Sequence, residues 1–336
     1  MKAVVQLRYG RPDDVLEVQD MLVPSIKGDE VLVRVHAASV HADVWHVVRG
    51  QPYILRLMGA GFLRPRNRIP GTDVAGRVEA VGPGVTRFRL GDEVFGETRR
   101  GNQWTNAGAF AEYVAVAQDS LALKPSTITF EQAAAVPTSG LIALSGLRYQ
   151  ANVQAGQRVL INGAGGGVGV FAVQLARACG AQVTAVDAAA KLDMLRSIGA
   201  DSVIDYATED FTRRGERYHL ILDIPGNRTI AEYRRALTPD GTYVLIGHDR
   251  YDASQRRWFG SVPRFLTLAV MSPFVSHLKL SFATPSIKES IAALSDLIEA
   301  GKITPVVDRT FSLSEVREAI RYLEQGSVKG KIVLTV

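Results

Sequence analysis

From position 159 onward, brief unbroken apolar runs alternate with stretches whose apolar residues recur at helical spacing. Val159, Leu160 and Ile161 make the first run, and such runs read as strands buried on both faces. Others fall at residues 182–187, 202–204, 219–224, 242–246 and 278–282, with helical patterns at 170–179, 192–198 and 229–237. This alternation predicts a doubly wound, six-stranded parallel sheet. On the helix after the first run, Phe171, Leu175 and Cys179 share one face, which reads Cys179 as a packing residue, and Gly180 is the candidate C-cap. Residues 1–124 keep a different rhythm. Runs at 2–6, 30–38, 74–81 and 113–117 are separated by turns such as Gly82-Pro83-Gly84 and Gly91-Asp92-Glu93, the pattern of a mostly β domain. Helical patterns at 287–300 and 314–325 lead to a last run at 331–336 that has no place in the six-strand count. The C-terminus is therefore expected to return to the first domain. Residues 1–124 and 284–336 form one unit in this reading and residues 125–283 the other.

The turn after the first run reads Gly163-Ala164-Gly165-Gly166-Gly167-Val168-Gly169. Glycines between a buried strand and a helix let backbone approach a diphosphate, whose charge meets the helix's first amides and the positive end of its dipole. The best register is Ala164-x-Gly166-x-x-Gly169, with alanine in place of the usual first glycine and Gly167 and Val168 supplying amides. Asp187 ends the next strand 21 residues after Gly166, which suits a carboxylate on the adenosine ribose. Strand, turn, helix, strand and acid in that order predict a dinucleotide-binding domain.

Composition narrows the remaining choices. A chain of 336 residues exceeds one compact core, and 46% hydrophobic with 22% charged residues is ordinary for a globular protein. The formal charge of +5 is dispersed; short clusters such as Arg64-Pro65-Arg66-Asn67-Arg68 and Arg256-Arg257 read as solvated loops, so no nucleic-acid partner is expected. One cysteine excludes an internal disulfide framework and a multi-cysteine zinc site. The opening MKAVVQLRYG has no apolar signal core, and residues 265–278 carry Pro273 and His277 and are too short to span a bilayer. A cytoplasmic protein without a membrane partner is expected.

Several stretches together resemble the medium-chain dehydrogenase/reductases, specifically the zinc-free quinone oxidoreductase (zeta-crystallin-like) branch. They are HAASVHADVWHVVRG, PGTDVAGRVEAVGPGV, GDEVFG, GAFAEYVAV, AAAVPTSGLIAL, INGAGGGVGVFAVQLAR, GADSVIDY and GKIVLTV, and they run nearly end to end. The resemblance implies a GroES-like mostly β catalytic domain, a Rossmann domain, an active site in the cleft between them, and a homodimer. It also locates the positions where zinc relatives bind metal. His41 stands where their first cysteine would be, Thr72-Asp73 replaces a His-Glu pair, and the VPTSG segment has no cysteine. His41 and Asp73 are two possible ligands, where a catalytic zinc takes three protein ligands and a water; a weak site using His41, Asp43 or His46 is the alternative. No metal is expected. A simple carbonyl reduced to an alkoxide needs a Lewis acid or a proton donor, whereas a quinone or enone yields a delocalised anion that one or two hydrogen bonds can support. The expected substrate is therefore a small-molecule quinone or enone. The alternatives are an alcohol dehydrogenase of the same superfamily and a cofactor-binding protein without catalysis.

The candidate catalytic residues are His46, His41, Asp43, Tyr53 and Thr138. The resemblance puts His46 where the branch often has a tyrosine near the nicotinamide, and His41 where it often has an asparagine facing substrate. Each histidine reads equally as a satisfied group in the domain interface. Asp43 can orient an imidazole or cap a turn. Thr138 lies in a segment that, by resemblance, contacts cofactor or substrate; a helix N-cap is the other reading. Tyr53 offers a phenol to a carbonyl oxygen or merely packs. The cofactor is NAD(P)H. Asp187 favours NADH, since it accepts from a ribose diol and repels a 2′-phosphate, and Ala188, Ala189 and Ala190 offer no polar group. Lys191 and Tyr206, 15 residues apart, match a pair that grips the phosphate in some quinone reductases and argue the other way. Segments 51–69 and 249–277 are enlarged beside compact quinone reductases and rich in apolar and aromatic residues, a wall over the acceptor or a contact between protomers.

Overall fold

The computed structural model describes residues 1–99, 101, 104–247, 258–272 and 286–336. Five parallel strands stand in the order Ser202–Asp205, Gln182–Asp187, Arg158–Asn162, Tyr218–Asp223 and Leu237–Leu245. Val159, Leu160 and Ile161 are consecutive and fully buried, as a central strand covered on both faces requires. The chain winds outward from this strand to one edge and then restarts on its other side. That reversal lies beside the carboxyl end of Arg158–Asn162, where open α/β sheets bind ligands. The sixth run, 278–282, lies outside the described residues.

Gly163, with φ +82°, turns the chain from this strand into the helix Gly167–Ala178. A Cβ on Gly169 would lie 2.4 Å from the carbonyl oxygens of Gly163 and Ala164, so only glycine lets the helix pack this close to the strand. The helix ends at Ala178, which corrects one expectation: Cys179 is its C-cap and exposed, outside the packing face that Phe171 and Leu175 occupy.

The other domain is built on a seven-stranded sheet in which Glu30–Val40 and Asp73–Val81 pair antiparallel at the centre. The final strand, Lys331–Thr335, pairs antiparallel with Glu30–Val40, so the C-terminus does return to the first domain. Alternation along that strand joins two cores. Ile332 and Leu334 face the β-domain core, while Val333 faces the core of the nucleotide-binding domain. The helix Ile287–Glu299 buries Ile291, Leu294 and Ile298, one stripe at helical spacing, in that same second core. Domain contact is thus apolar, with the polar groups of the site gathered beside it.

Candidate active site

The helix Gly167–Ala178 begins at Gly166 without a side-chain cap. Its first amides have no intrahelical acceptor, and a Cβ on Gly166 would meet nothing closer than 3.7 Å. An open, uncapped helix start at the switch point fits a diphosphate, so the residues present suit a dinucleotide. Asp187 lies against this turn: its Oδ2 accepts from the Gly165 amide at 2.7 Å and its Oδ1 from the Ala188 amide at 2.8 Å. Both oxygens retain lone pairs for a ribose diol. Lys191 is buried, its Nζ 3.6 Å from Asp187 Oδ1 and 3.4 Å from the Gly326 carbonyl oxygen. Tyr206 is 53% exposed, with its backbone amide on the Asp187 carbonyl. The structure therefore pairs Lys191 with Asp187 rather than presenting it to solvent. From the other domain, the Gly330 amide donates to the Gly165 carbonyl at 2.9 Å, and a Cβ on Gly167 would touch the Lys331 side chain.

Next to that contact lies a buried polar cluster. Asp73 opens the strand Asp73–Val81 and has no exposed surface. Its Oδ1 accepts from the Thr138 hydroxyl at 2.5 Å and the Thr138 amide at 3.2 Å; its Oδ2 accepts from the Ser39 hydroxyl at 2.8 Å and lies 3.6 Å from Lys331 Nζ. Lys331 also donates to the Ser139 hydroxyl at 3.1 Å. Thr138 Oγ1 is 3.0 Å from Glu97 Oε1 as well. One hydroxyl proton cannot serve both carboxylates, and the shorter contact gives it to Asp73. Burial pushes the Glu97 carboxyl up, against the pull of Arg99 and aided by Asp73. For Asp73, burial is outweighed by His41, Lys331 and the Thr138 and Ser39 hydroxyls, which hold it below the usual carboxylate range. Arg99 closes the cluster with close contacts to Glu97 and an Nη1 bond of 3.1 Å to Asp43. Glu97 and Arg99, with Gly101, Ile142 and Ile287, line a cavity of about 160 Å³.

His41 Nε2 is 2.7 Å from Thr72 Oγ1 and 4.0 Å from Asp73 Oδ1. Burial lowers its pKa to about 4, although Asp73 opposes the shift. The ring is therefore neutral at pH 7. Below the ordinary histidine pKa the unfolded chain takes a proton that the folded chain refuses until about pH 4. Stability should accordingly fall as pH drops through that window, by up to ~3 kcal/mol from this group. Urea titrations of wild type and His41→Asn from pH 8 to about pH 4 check this; parallel profiles would assign the window to other groups.

Of the remaining candidates, the structure brings Asp43 and Thr138 into the cluster and leaves His46 and Tyr53 beside it. His46 Nδ1 donates to the Gln51 carbonyl at 2.7 Å. Nε2 of the neutral ring is then an acceptor, so donation to an oxyanion from that nitrogen requires the imidazolium. Tyr53 packs edge-on against Trp258 with ring centroids 5.2 Å apart, and the Ile54 amide donates to the Trp258 carbonyl. Segment 51–69 therefore meets Trp258, while 249–257 and 273–277 of the other enlarged segment lie outside the described residues. Sequence reasoning missed Ser39, Glu97, Arg99 and Lys331; the one available signal was Lys331, a lone lysine leading the apolar run Ile332-Val333-Leu334. Among the described residues, no group of three or more His, Cys, Asp or Glu side chains could hold a metal ion.

Residues 27–126 match the family model of the alcohol dehydrogenase GroES-like domain, and residues 198–334 that of the zinc-binding dehydrogenases. The chain is 31% identical to 2-methylene-furan-3-one reductase of Solanum lycopersicum, covering 99% of this chain and 79% of that protein. It is 32% identical to the NADPH-dependent alkenal/one oxidoreductase, chloroplastic, of Arabidopsis thaliana, with the same coverage of each. Among solved structures, the quinone oxidoreductase from Coxiella burnetii superposes with a TM-score of 0.83 at 28% identity, covering 100% of this chain and 99% of that one. An NAD-dependent alcohol dehydrogenase superposes with a TM-score of 0.81 at 29% identity, covering 100% of both chains. With the dinucleotide turn and the two-domain architecture already in place, these similarities show that the chain belongs to the medium-chain dehydrogenase/reductase superfamily, in its quinone oxidoreductase branch, and is an NAD(P)H oxidoreductase.

Proposed function

We propose that this enzyme reduces a quinone or an enone with NADH, without a metal, in the cleft between its two domains. The observation that carries this reading is the closure of the Asp73 cluster. The carboxylate is saturated by Ser39, Thr138 and Lys331, so a cation already balances it at a position where zinc relatives place a ligand. When bound, the cofactor supplies a hydride; the chain supplies placement and protons. The uncapped start of Gly167–Ala178 takes the diphosphate, and Asp187 takes the ribose hydroxyls, which favours NADH. His41, Thr72 and Thr138 form a line of exchangeable protons, with Thr72 Oγ1 3.5 Å from Thr138 Oγ1. That line reaches Glu97 and the Arg99 guanidinium at the cavity, where a delocalised enolate or phenolate finds positive charge and a proton source. Ile142 and Ile287 give the same cavity an apolar wall. The protein works as a cytoplasmic homodimer in this reading.

The structural likeness to an NAD-dependent alcohol dehydrogenase favours the second reading, oxidation of simple alcohols. One experiment separates the two: oxidation of NADH and NADPH, each with a quinone and with an α,β-unsaturated ketone, after chelator treatment and metal analysis. Turnover of either acceptor by metal-free protein is expected. Activity that returns only with zinc, or that is confined to alcohols and their carbonyl products, overturns the proposal. Tight cofactor binding with no turnover would instead make this a cofactor-binding protein.

A further inference from the structure

We propose that the surface formed by residues 51–69 with Trp258 and Phe259 docks on an anionic lipid bilayer and admits an apolar acceptor from it. Side chains there are exposed well beyond what scattered surface residues need: Leu57 and Phe62 at 69%, Leu63 at 80%, Trp258 at 67% and Phe259 at 56%. The segments are tied together, since the Ile54 amide donates to the Trp258 carbonyl and Tyr53 packs on the Trp258 ring. Arg56 lies over the rings of both Tyr9 and Tyr53, and the Tyr9 hydroxyl donates to the Gly61 carbonyl. The aromatic base is therefore held in place while the aliphatic and indole side chains face solvent.

Charge selects the occupant. Residues 44–72 contain no Asp or Glu but five arginines. Arg49 pairs with Glu324 and Arg56 is packed on the tyrosines. Arg64, Arg66 and Arg68 are exposed, and none of them forms an ion pair with a described residue. Apolar side chains and a tryptophan rimmed by exposed arginines suit an interface whose headgroups are negative and whose interior is hydrocarbon. A second copy of this chain would set these arginines against one another unless acids elsewhere met them. Docking departs from the expectation of no membrane partner; no helix among the described residues is long and apolar enough to cross a membrane, and docking needs none.

The surface also adjoins the candidate site. Gln51, whose carbonyl accepts from His46, lies two residues before Tyr53, so an acceptor leaving the bilayer here would enter beside the catalytic candidates. This purpose rests on the reading of an apolar quinone or enone as substrate, whereas the docking itself is measured without substrate.

The test is flotation of the full chain, without cofactor or acceptor, with phosphatidylcholine vesicles and with vesicles of phosphatidylcholine and phosphatidylglycerol. Binding to the anionic vesicles alone, weakened by salt, is expected. The variant R64Q/R66Q/R68Q should lose partitioning on the order of 100-fold, given the usual contribution of each basic residue at an anionic surface. A second variant, L57S/F62S/L63S, should also lose it, and both should keep NADH binding as a check of fold. Failure of wild type to float overturns the proposal, as does equal flotation by the variants. So does sedimentation showing that L57S/F62S/L63S dissociates a dimer while vesicle binding is unchanged, because the surface then belongs to a second copy. Turnover of water-soluble acceptors by a protein that does not float would sink docking and leave the reductase reading standing; flotation without turnover would do the reverse.

Discussion

Replacing Asp73 with alanine is expected to cost about 3–5 kcal/mol of stability, the usual penalty for breaking a buried ion pair from one side. The loss comes from what remains. Lys331 would keep its amine buried beside Ser139, and the Ser39 and Thr138 hydroxyls would lose their shared acceptor. Burial already lowers the Lys331 pKa, and Asp73 is the first group opposing that shift. Without Asp73 the amine should give up its proton, which limits the damage but leaves unsatisfied polar groups. Asp73→Asn keeps the shape and most acceptors and should cost less. The sharper comparison is Asp73→Asn with Lys331→Met, which removes both charges together. If the pair explains the cost, the double variant recovers most of what either change loses alone, a coupling of about 2 kcal/mol or more. Urea denaturation of the four proteins of this cycle and of Asp73→Ala decides it. Additive losses, or an alanine variant within about 1 kcal/mol of wild type, would mean the cluster is not coupled in this way. Because Thr138 hangs on Asp73, the folded fraction of Asp73→Asn should also show reduced kcat with little change in NADH binding.

That cluster marks the boundary of what the sequence discloses. The glycine turn, its helix and Asp187 lie within one short stretch of chain, where spacing alone encodes geometry; the parallel strands were legible for the same reason. The cluster draws on Ser39, Asp73, Glu97, Arg99, Thr138 and Lys331, partners far apart in the chain, Asp73 lying early in it and Lys331 near its end. Cross-strand register aligns Ser39, Asp73 and Glu97, and the return of the final strand against Glu30–Val40 adds Lys331. The return itself could be anticipated from an unplaced apolar run, but not that a lysine at its start would face Asp73. Thr72 and Asp73 were visible at the positions of a metal-binding pair, and in the folded chain they meet the His41 imidazole, the Thr138 hydroxyl and the Lys331 ammonium. Cys179 failed for a local reason, since its place on the packing face required the helix to continue one residue beyond Ala178. His46 was legible as a candidate but not its tautomer, which the Gln51 carbonyl dictates.

Asp187→Ser should turn the cofactor preference toward NADPH, lowering kcat/KM for NADH by about 10- to 100-fold, the worth of charge-assisted hydrogen bonds to two hydroxyls. The effect is electrostatic. A 2′-phosphate would enter beside a carboxylate anchored by the Gly165 and Ala188 amides, which cannot swing away without giving up both bonds. The nearest cation, Lys191, is buried and engaged with that same carboxylate, so its charge is already used. Removing the carboxylate ends the repulsion and frees the ammonium in one step, which is why the change should be large. Lys191→Ala supplies the control. If Lys191 serves Asp187, its loss weakens NADH binding slightly and leaves NADPH poor; if it serves a phosphate, NADPH alone suffers. Dissociation constants from cofactor fluorescence and kcat/KM for both cofactors give independent readouts. A wild type that prefers NADPH and loses that preference with Lys191→Ala would show that binding breaks the Asp187–Lys191 pair, and Asp187 would then be a brace for the glycine turn rather than a ribose ligand.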